Sequence, residues 1–593
     1  MKDFLKFTLA TITGLMLVGA ILTFFSIVVL VGLIASSEPT VQVKPNSVFV
    51  LSLNKPLSER AVEDPITMLM GEDYASIGLN EVLTSIKKAK EEANITGIYL
   101  EASGYSDASP AEWEEIRRAL MNFKESGKFI VAYGDNYSQG EYYLCSVADK
   151  VILNPQGSIE WTGISSQPIF YKRLLEKIGV TMNIFKVGTY KSAIEPFIAT
   201  EMSEANREQT HAYLNSIWTR ITEDIATSRS ISTKDLNKYA DEMIALSPTE
   251  RFIEAGMADT LLYKDEVKEY LKELTHTNSH QSLNTLSLKE MKAIEEVAIF
   301  PKNEGRIAVY YAVGEIMDDI PGGTFSTEEC IVGSQTIKEL SQLREDDQVK
   351  AVVLRVNSPG GSAFASEQIW NEVVKLKTKK PVIVSMGGMA ASGGYYISCA
   401  ADSIFAEATT LTGSIGIFGM TPNMEGLLSD KLGLDFDIVK TNRYADFASP
   451  TRPMTEGEKA LLQKTIERGY DLFVTRCAEG REMSKEALCR VAEGRVWTGE
   501  MAKELGLVDQ IGGIDEAVKA AAEKAGLKEY TQATYPKQAD LFNSLMQSGK
   551  ERYIQTKLKE MTGGYDQHIR LMNRLKHAAP QQAHIGFDPN VKL

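Results

Sequence analysis

Histidine is scarce in this chain, with six in 593 residues. His276, His280, His568, His577 and His584 lie in polar, linker-like or tail sequence, and only His211 falls in a domain-like stretch. Histidine is the usual general base, so a hydrolytic site here must draw on another side chain. Cysteine is equally sparse. Cys145, Cys330, Cys399, Cys477 and Cys489 are scattered, odd in number and never spaced C-x-x-C. That excludes a disulfide framework and a zinc site and leaves small buried hydrophobes. Positive charge is short as well: 64 Lys and Arg against 79 Asp and Glu give a net charge of −15. Without a basic block the phosphates of a nucleic acid cannot be neutralised, and that class of partner is excluded.

Apolar material is not lacking. At 593 residues and 44% hydrophobic composition the chain can fill more than one core, since a single core stops growing near roughly 250–300 residues. One run stands apart: no charge occurs from Phe7 to Ser37, and Ile12–Ala35 reads ITGLMLVGAILTFFSIVVLVGLIA. At about 1.5 Å per residue this exceeds the roughly 30 Å of a bilayer's hydrocarbon core, and it is longer than the apolar part of a cleaved signal peptide. A retained membrane anchor is expected, with a buried core helix as the other reading. Lys2, Lys6 and the amino terminus favour an inside N-terminus, against Lys44 and Lys55 beyond the run. Everything after residue 38 is then extracytoplasmic.

The chain repeats itself. Residues 95–149 and 349–402 both read as an apolar strand, a small-residue loop, an amphipathic helix, a second apolar strand, a turn, and a Tyr-Tyr helix ending in Ala-Asp. Trp113, Ile116, Leu120 and Phe123 form the helical stripe in one copy; Ile369, Trp370, Val373, Val374 and Leu376 form it in the other. Strands alternating with helices imply βαβ units and parallel sheets. Tyr142-Tyr143 and Tyr395-Tyr396 match at an offset of 253 residues, and FKVGTYKSAIEP at 185–196 matches VKTNRYADFASP at 439–450. The polar stretch within residues 275–295 reads as the joint, and AAPQQAHIGFDPNVKL at the C-terminus reads as poorly ordered.

Three places carry candidate chemistry. N-S-P-G-G-S, Asn357 to Ser362, follows the strand AVVLRV. Two glycines there can aim backbone N–H groups into a cleft, as an oxyanion hole requires, or can simply make a turn. In G-G-M-A-A-S-G-G-Y-Y, Gly387 to Tyr396, Ser392 sits at a strand-to-helix turn, where it either caps the helix or exposes a nucleophilic hydroxyl. Serine needs a base. A lysine serves if burial keeps it neutral, and Lys191 in V-G-T-Y-K-S-A-I-E-P-F lies among small and apolar neighbours, although most lysines are surface residues.

The strings RVNSPGGS, SMGGMAASGGYYIS, TLTGSIGIFG and VGTYKSAIEPF, spread over roughly residues 45 to 530, resemble the signal peptide peptidase A family, peptidase family S49, in its long, duplicated form. The resemblance implies an α/β fold of tandem duplicated ClpP/crotonase-like spiral βαβ domains behind an N-terminal transmembrane helix. It divides the chain into an anchor (1–45), a half carrying the general base (46–285), a half carrying the nucleophile (296–540) and a tail (541–593). Carried over by position, Ser392 is the nucleophile and Lys191 its base. Gly361 and Gly393 supply the oxyanion N–H groups, and Ser414 orients the lysine. The implied protein is a bacterial inner-membrane, single-pass, tetrameric serine endopeptidase acting outside the cytoplasm on apolar peptides such as cleaved signal peptides. It needs no cofactor or metal. On the repeat, Ser392 aligns with Gln139 and Lys191 with Ala445, so each half keeps one member of the pair. A crotonase-like acyl-CoA enzyme, which shares the fold and the glycine-rich loop, and a non-catalytic membrane scaffold are the two other readings.

Overall fold

The computed structural model describes residues 4–22 (apart from 5, 9 and 20), 41–61, 76–102, 108–294, 305–318, 330–537 and 582–584. In the first half six strands form a wholly parallel sheet. Their order is Thr260–Leu261, Lys150–Ile159, Phe129–Tyr137, Ile95–Ala102, Ser47–Ser52, Thr285–Leu286. The second half repeats it strand for strand with Gln510–Ile511, Ser403–Ala406, Val382–Ala391, Val349–Ser358, Arg306–Val313 and Thr531–Tyr535, again all parallel. Parallel neighbours require crossover connections, which the alternating helices provide. The expected joint is not featureless. Thr285–Leu286 is the edge strand of the first sheet, paired with Val48 and Phe49, and the helix Leu288–Ala293 follows it.

Among the described residues no helix is long and apolar enough to cross a membrane. The described part of the N-terminal run, to residue 22, is helical; the rest of the span expected at Ile12–Ala35 lies outside the described residues. So does most of the tail after residue 540. Of the C-terminal stretch expected to be poorly ordered, Gln582–His584 forms a strand.

The halves share a core. Helix Pro110–Lys124 turns its apolar stripe, Trp113, Ile116, Leu120 and Phe123, into the first half. Its polar residues Glu112, Glu114, Glu115 and Arg117 are buried too, because the second half closes over much of that side. One apolar cluster accordingly runs from Phe49 and Ile98 through Ile307, Val353 and Ile383 to Val518. The buried charges are partnered across the junction. Arg355 Nε donates to Glu59 Oε2 at 2.9 Å and its NH2 group to Glu115 Oε2 at 2.7 Å. Glu114 accepts from Thr409 N at 3.0 Å, and Arg118 pairs with Glu407. Removing one side of a buried pair strands the other in low dielectric. Arg355→Ala is therefore expected to destabilise the folded chain by about 3–5 kcal/mol, read as a fall in the midpoint of urea unfolding.

A separate mixed sheet joins the halves at the site. Its order is Cys330–Val332, Glu315–Met317, Gly360–Ser362, Gln582–His584, Ile417–Asn423, Thr181–Val187. The last two strands, one from each half, pair antiparallel from Ile417–Val187 to Asn423–Thr181. That pairing brings the segment after Val187, which contains Lys191, over the second half.

Candidate active site

Strand Val382–Ala391 ends at the Ser392 turn, and helix Gly393–Ser398 begins there. Ser392 holds φ 56° and ψ −113°, a conformation a non-glycine residue adopts only when its surroundings enforce it. They do so through Ser392 N, which donates to Gly413 O at 2.9 Å, and through Ser392 O, which accepts from Tyr396 N at 2.9 Å. The hydroxyl makes no capping bond to the helix that follows. Instead Lys191 Nζ lies 2.7 Å from Ser392 Oγ. The same nitrogen lies 3.1 Å from both the carbonyl and the hydroxyl oxygens of Ser414. Residues 191, 392 and 414, far apart in sequence and drawn from both halves, thus meet at one buried point.

Lys191 is 1% exposed and Ser392 fully buried. Burial alone pushes the Lys191 ammonium well below its usual range, and no carboxylate is close enough to hold the proton on. An amine in such a place is neutral at moderate pH and has a free lone pair. The Lys191 segment is pinned to the second half: Tyr190 N donates to Glu493 O and Thr189 N to Glu493 Oε2, each at 2.9 Å. Gly494 admits this approach. It has φ +76°, and a Cβ there would lie 2.7 Å from Lys191 Cβ.

Gly361 and Gly393 flank the same point from two loops. Gly361 runs beside Ile316, so closely that a Cβ would stand 2.0 Å from Ile316 O. Gly393 is the first residue of its helix, where backbone N–H groups have no intrahelical acceptor. Asn357 ties the loops together: its Nδ2 donates to Glu59 Oε1 at 3.0 Å and its Oδ1 accepts from Met389 N at 3.1 Å.

The equivalent place in the first half is filled differently. Gln139 Oε1 accepts from Thr162 N and Gly163 N, both at 3.0 Å, so an amide satisfied by backbone stands where the second half has a hydroxyl. Ala445 is exposed; the structure does not bring it to Gln139.

Sequence reasoning missed Gln209. It is buried on helix Glu204–Arg229, donates from Nε2 to Tyr190 O at 3.0 Å and to Ser192 Oγ at 3.1 Å, and accepts at Oε1 from Val496 N at 3.1 Å. It therefore clamps both neighbours of Lys191 against the second half. A glutamine on a polar helix carries no signal that singles it out. Gln209→Ala is expected to lower kcat by about tenfold to a hundredfold through misplacement of the base, with KM little changed, as steady-state kinetics on a short peptide will read.

Comparison with known proteins agrees with this arrangement. The model described as Peptidase family S49 matches twice, at residues 122–278 and 374–528. The chain belongs to peptidase family S49. It is a serine peptidase built from a duplicated S49 unit, and a model described as Clp protease matches residues 327–411 of its second half. S49 relatives extend along most of its length. "Protease 4" of Salmonella typhi is 38% identical over 482 residues, covering 79% of this chain and 76% of the relative. "Protease 4" of Haemophilus influenzae is 36% identical, with 79% and 77% covered. "Serine protease SPPA, chloroplastic" of Arabidopsis thaliana is 31% identical, with 82% and 71% covered. S49 membership displaces the acyl-CoA and scaffold readings.

Proposed function

We propose that the chain is a membrane-anchored endopeptidase of apolar peptides, cleaved signal peptides among them, working through a Ser392–Lys191 dyad that spans its two halves. The contact of 2.7 Å between a buried, carboxylate-free amine and a hydroxyl that caps nothing carries this reading. Neutral Lys191 accepts the Ser392 proton as Oγ attacks the peptide carbonyl. The Gly361 and Gly393 N–H groups receive the oxyanion. Lys191 then gives its proton to the leaving amine, and a water, deprotonated in turn by Lys191, releases the acyl group. Ser414 holds the amine in line through its hydroxyl and carbonyl. No metal or cofactor enters this scheme. Hydrolysis of a fluorogenic apolar peptide by the wild type and by Ser392→Ala tests it.

The anchor is the apolar run Ile12–Ala35, which places the peptidase outside the cytoplasm at the bacterial inner membrane. Assembly into a ring of four rests on the internal repeat. Within the chain, strand Thr181–Val187 of one half pairs with Ile417–Asn423 of the other. The repeat-related pieces, residues 435–441 and 164–170, form no strand. They leave Phe436, Ile438, Val439 and Ile169 exposed, Val439 at 99%. A second copy supplies the missing partner head to tail, and such heterologous contacts close into rings. Removal of residues 1–38 is expected to release the protein from membranes, to leave hydrolysis of a short soluble peptide unchanged, and to give a tetramer by sedimentation. Loss of all activity on removal would contradict a role limited to anchoring.

A further inference from the structure

The mixed sheet at the site is completed by a piece of the tail. Gln582–His584 lies between Gly360–Ser362 and Ile417–Asn423 and runs antiparallel to both, with Gly361 opposite Ala583 and Phe418 opposite Gln582. Without it those two strands would be facing edges, about 9–10 Å apart by the usual strand spacing. That gap is one extended peptide wide. Its walls belong to the site: Gly361 is on one side, and on the other Ile417 follows Gly416, whose Cβ, were it present, would touch Lys191 Cδ at 3.2 Å. Unpaired edges bind extended peptides by strand addition, with main-chain hydrogen bonds supplying affinity. The tail strand is short, and Gln, Ala and His have little preference for a sheet, so it is suited to exchange with another peptide.

We propose that residues 582–584 occupy the peptide-binding slot of this chain's own active site, as an intramolecular competitor that an extended substrate must displace. The inference rests on the Ser392 site assignment above and adds its regulation. A competitor in place about nine-tenths of the time raises the apparent KM about tenfold and leaves kcat alone. The experiment is Ala583→Pro in the full chain, since proline removes the N–H that an internal strand position needs. The KM for a fluorogenic peptide is expected to fall about tenfold at constant kcat, and the synthetic peptide AAPQQAHIGFDPN, residues 578–590, should inhibit the variant competitively. A second readout does not depend on turnover. The same peptide, fluorescently labelled, should bind Ser392→Ala carrying Ala583→Pro about tenfold more tightly than it binds Ser392→Ala alone. Unchanged KM together with equal peptide binding would overturn the proposal while leaving the Ser392 assignment intact. Equal hydrolysis by wild type and Ser392→Ala would instead overturn the assignment, and this inference with it.

Discussion

Ser392→Ala is expected to fold, assemble and unfold as the wild type does, and to lose peptidase activity by about four to six orders of magnitude. The first part follows from the turn itself. The Ser392 backbone is held by Gly413 O and Tyr396 N, and alanine keeps both bonds. The hydroxyl caps no helix, so its removal costs little structure. The second part follows from chemistry. Without Oγ no acyl-enzyme forms, and the remaining groups can only polarise a carbonyl for unassisted attack by water. Hydrolysis of a fluorogenic apolar peptide, with a thermal melt beside it, checks both parts. Residual activity within about tenfold of wild type would remove Ser392 from the mechanism, because mutation of a true nucleophile costs far more than that.

Lys191→Arg is expected to be nearly as inactive as Ser392→Ala. Arginine keeps the charge and the reach, but its guanidinium stays protonated and has no lone pair to accept the serine proton. Were Lys191 merely a hydrogen-bond donor to Ser414, arginine would substitute in part. The wild-type pH profile carries the same information. Burial lowers the lysine's folded-state pKa well below its ordinary value of 10.5, so the amine gains its lone pair as pH rises through that lowered value. The ratio kcat/KM should climb with pH and level off above it, on the acid side of where an exposed lysine would titrate. A profile flat from acid to alkaline pH would contradict a lysine base. The protonation also bears on stability: between the folded and unfolded pKa values the unfolded chain binds the extra proton, so this group's contribution to stability rises with pH across that window.

Much of the fold was readable. The period-2 and period-3.6 patterns at 95–149 and 349–402 gave the two βαβ copies, and the paired tyrosines gave their alignment; the sheets repeat strand for strand as that alignment requires. Glu112, Glu114 and Glu115 mislead, because carboxylates facing away from an apolar stripe read as a solvated surface. They are buried only because the second half packs over them, and no local pattern encodes a contact between residues about 240 positions apart, the separation of Glu115 from Arg355. The same limit applies at the site. Ser392 and Gly361 stood in small-residue loops that could be read directly as chemistry. Lys191 could be named only through the family resemblance, since its neutrality depends on a burial that both halves create. Gln209 and Gly494, which seat the lysine, carried no legible signal. Strand Gln582–His584 was hidden for another reason: its residues have no sheet preference, and only the two edges beside it make it a strand.

The central claim is that a neutral Lys191 in one half activates Ser392 in the other. Labelling with a serine-reactive phosphonate tests it most directly, because the reagent reports nucleophile activation at a residue that mass spectrometry can name. The account expects a single labelled residue, Ser392, with a rate that rises with pH in the wild type and falls by about a hundredfold or more in Lys191→Arg, the scale on which general-base help is lost. Labelling of Ser392 in Lys191→Arg at the wild-type rate, or labelling of a different serine, would contradict it.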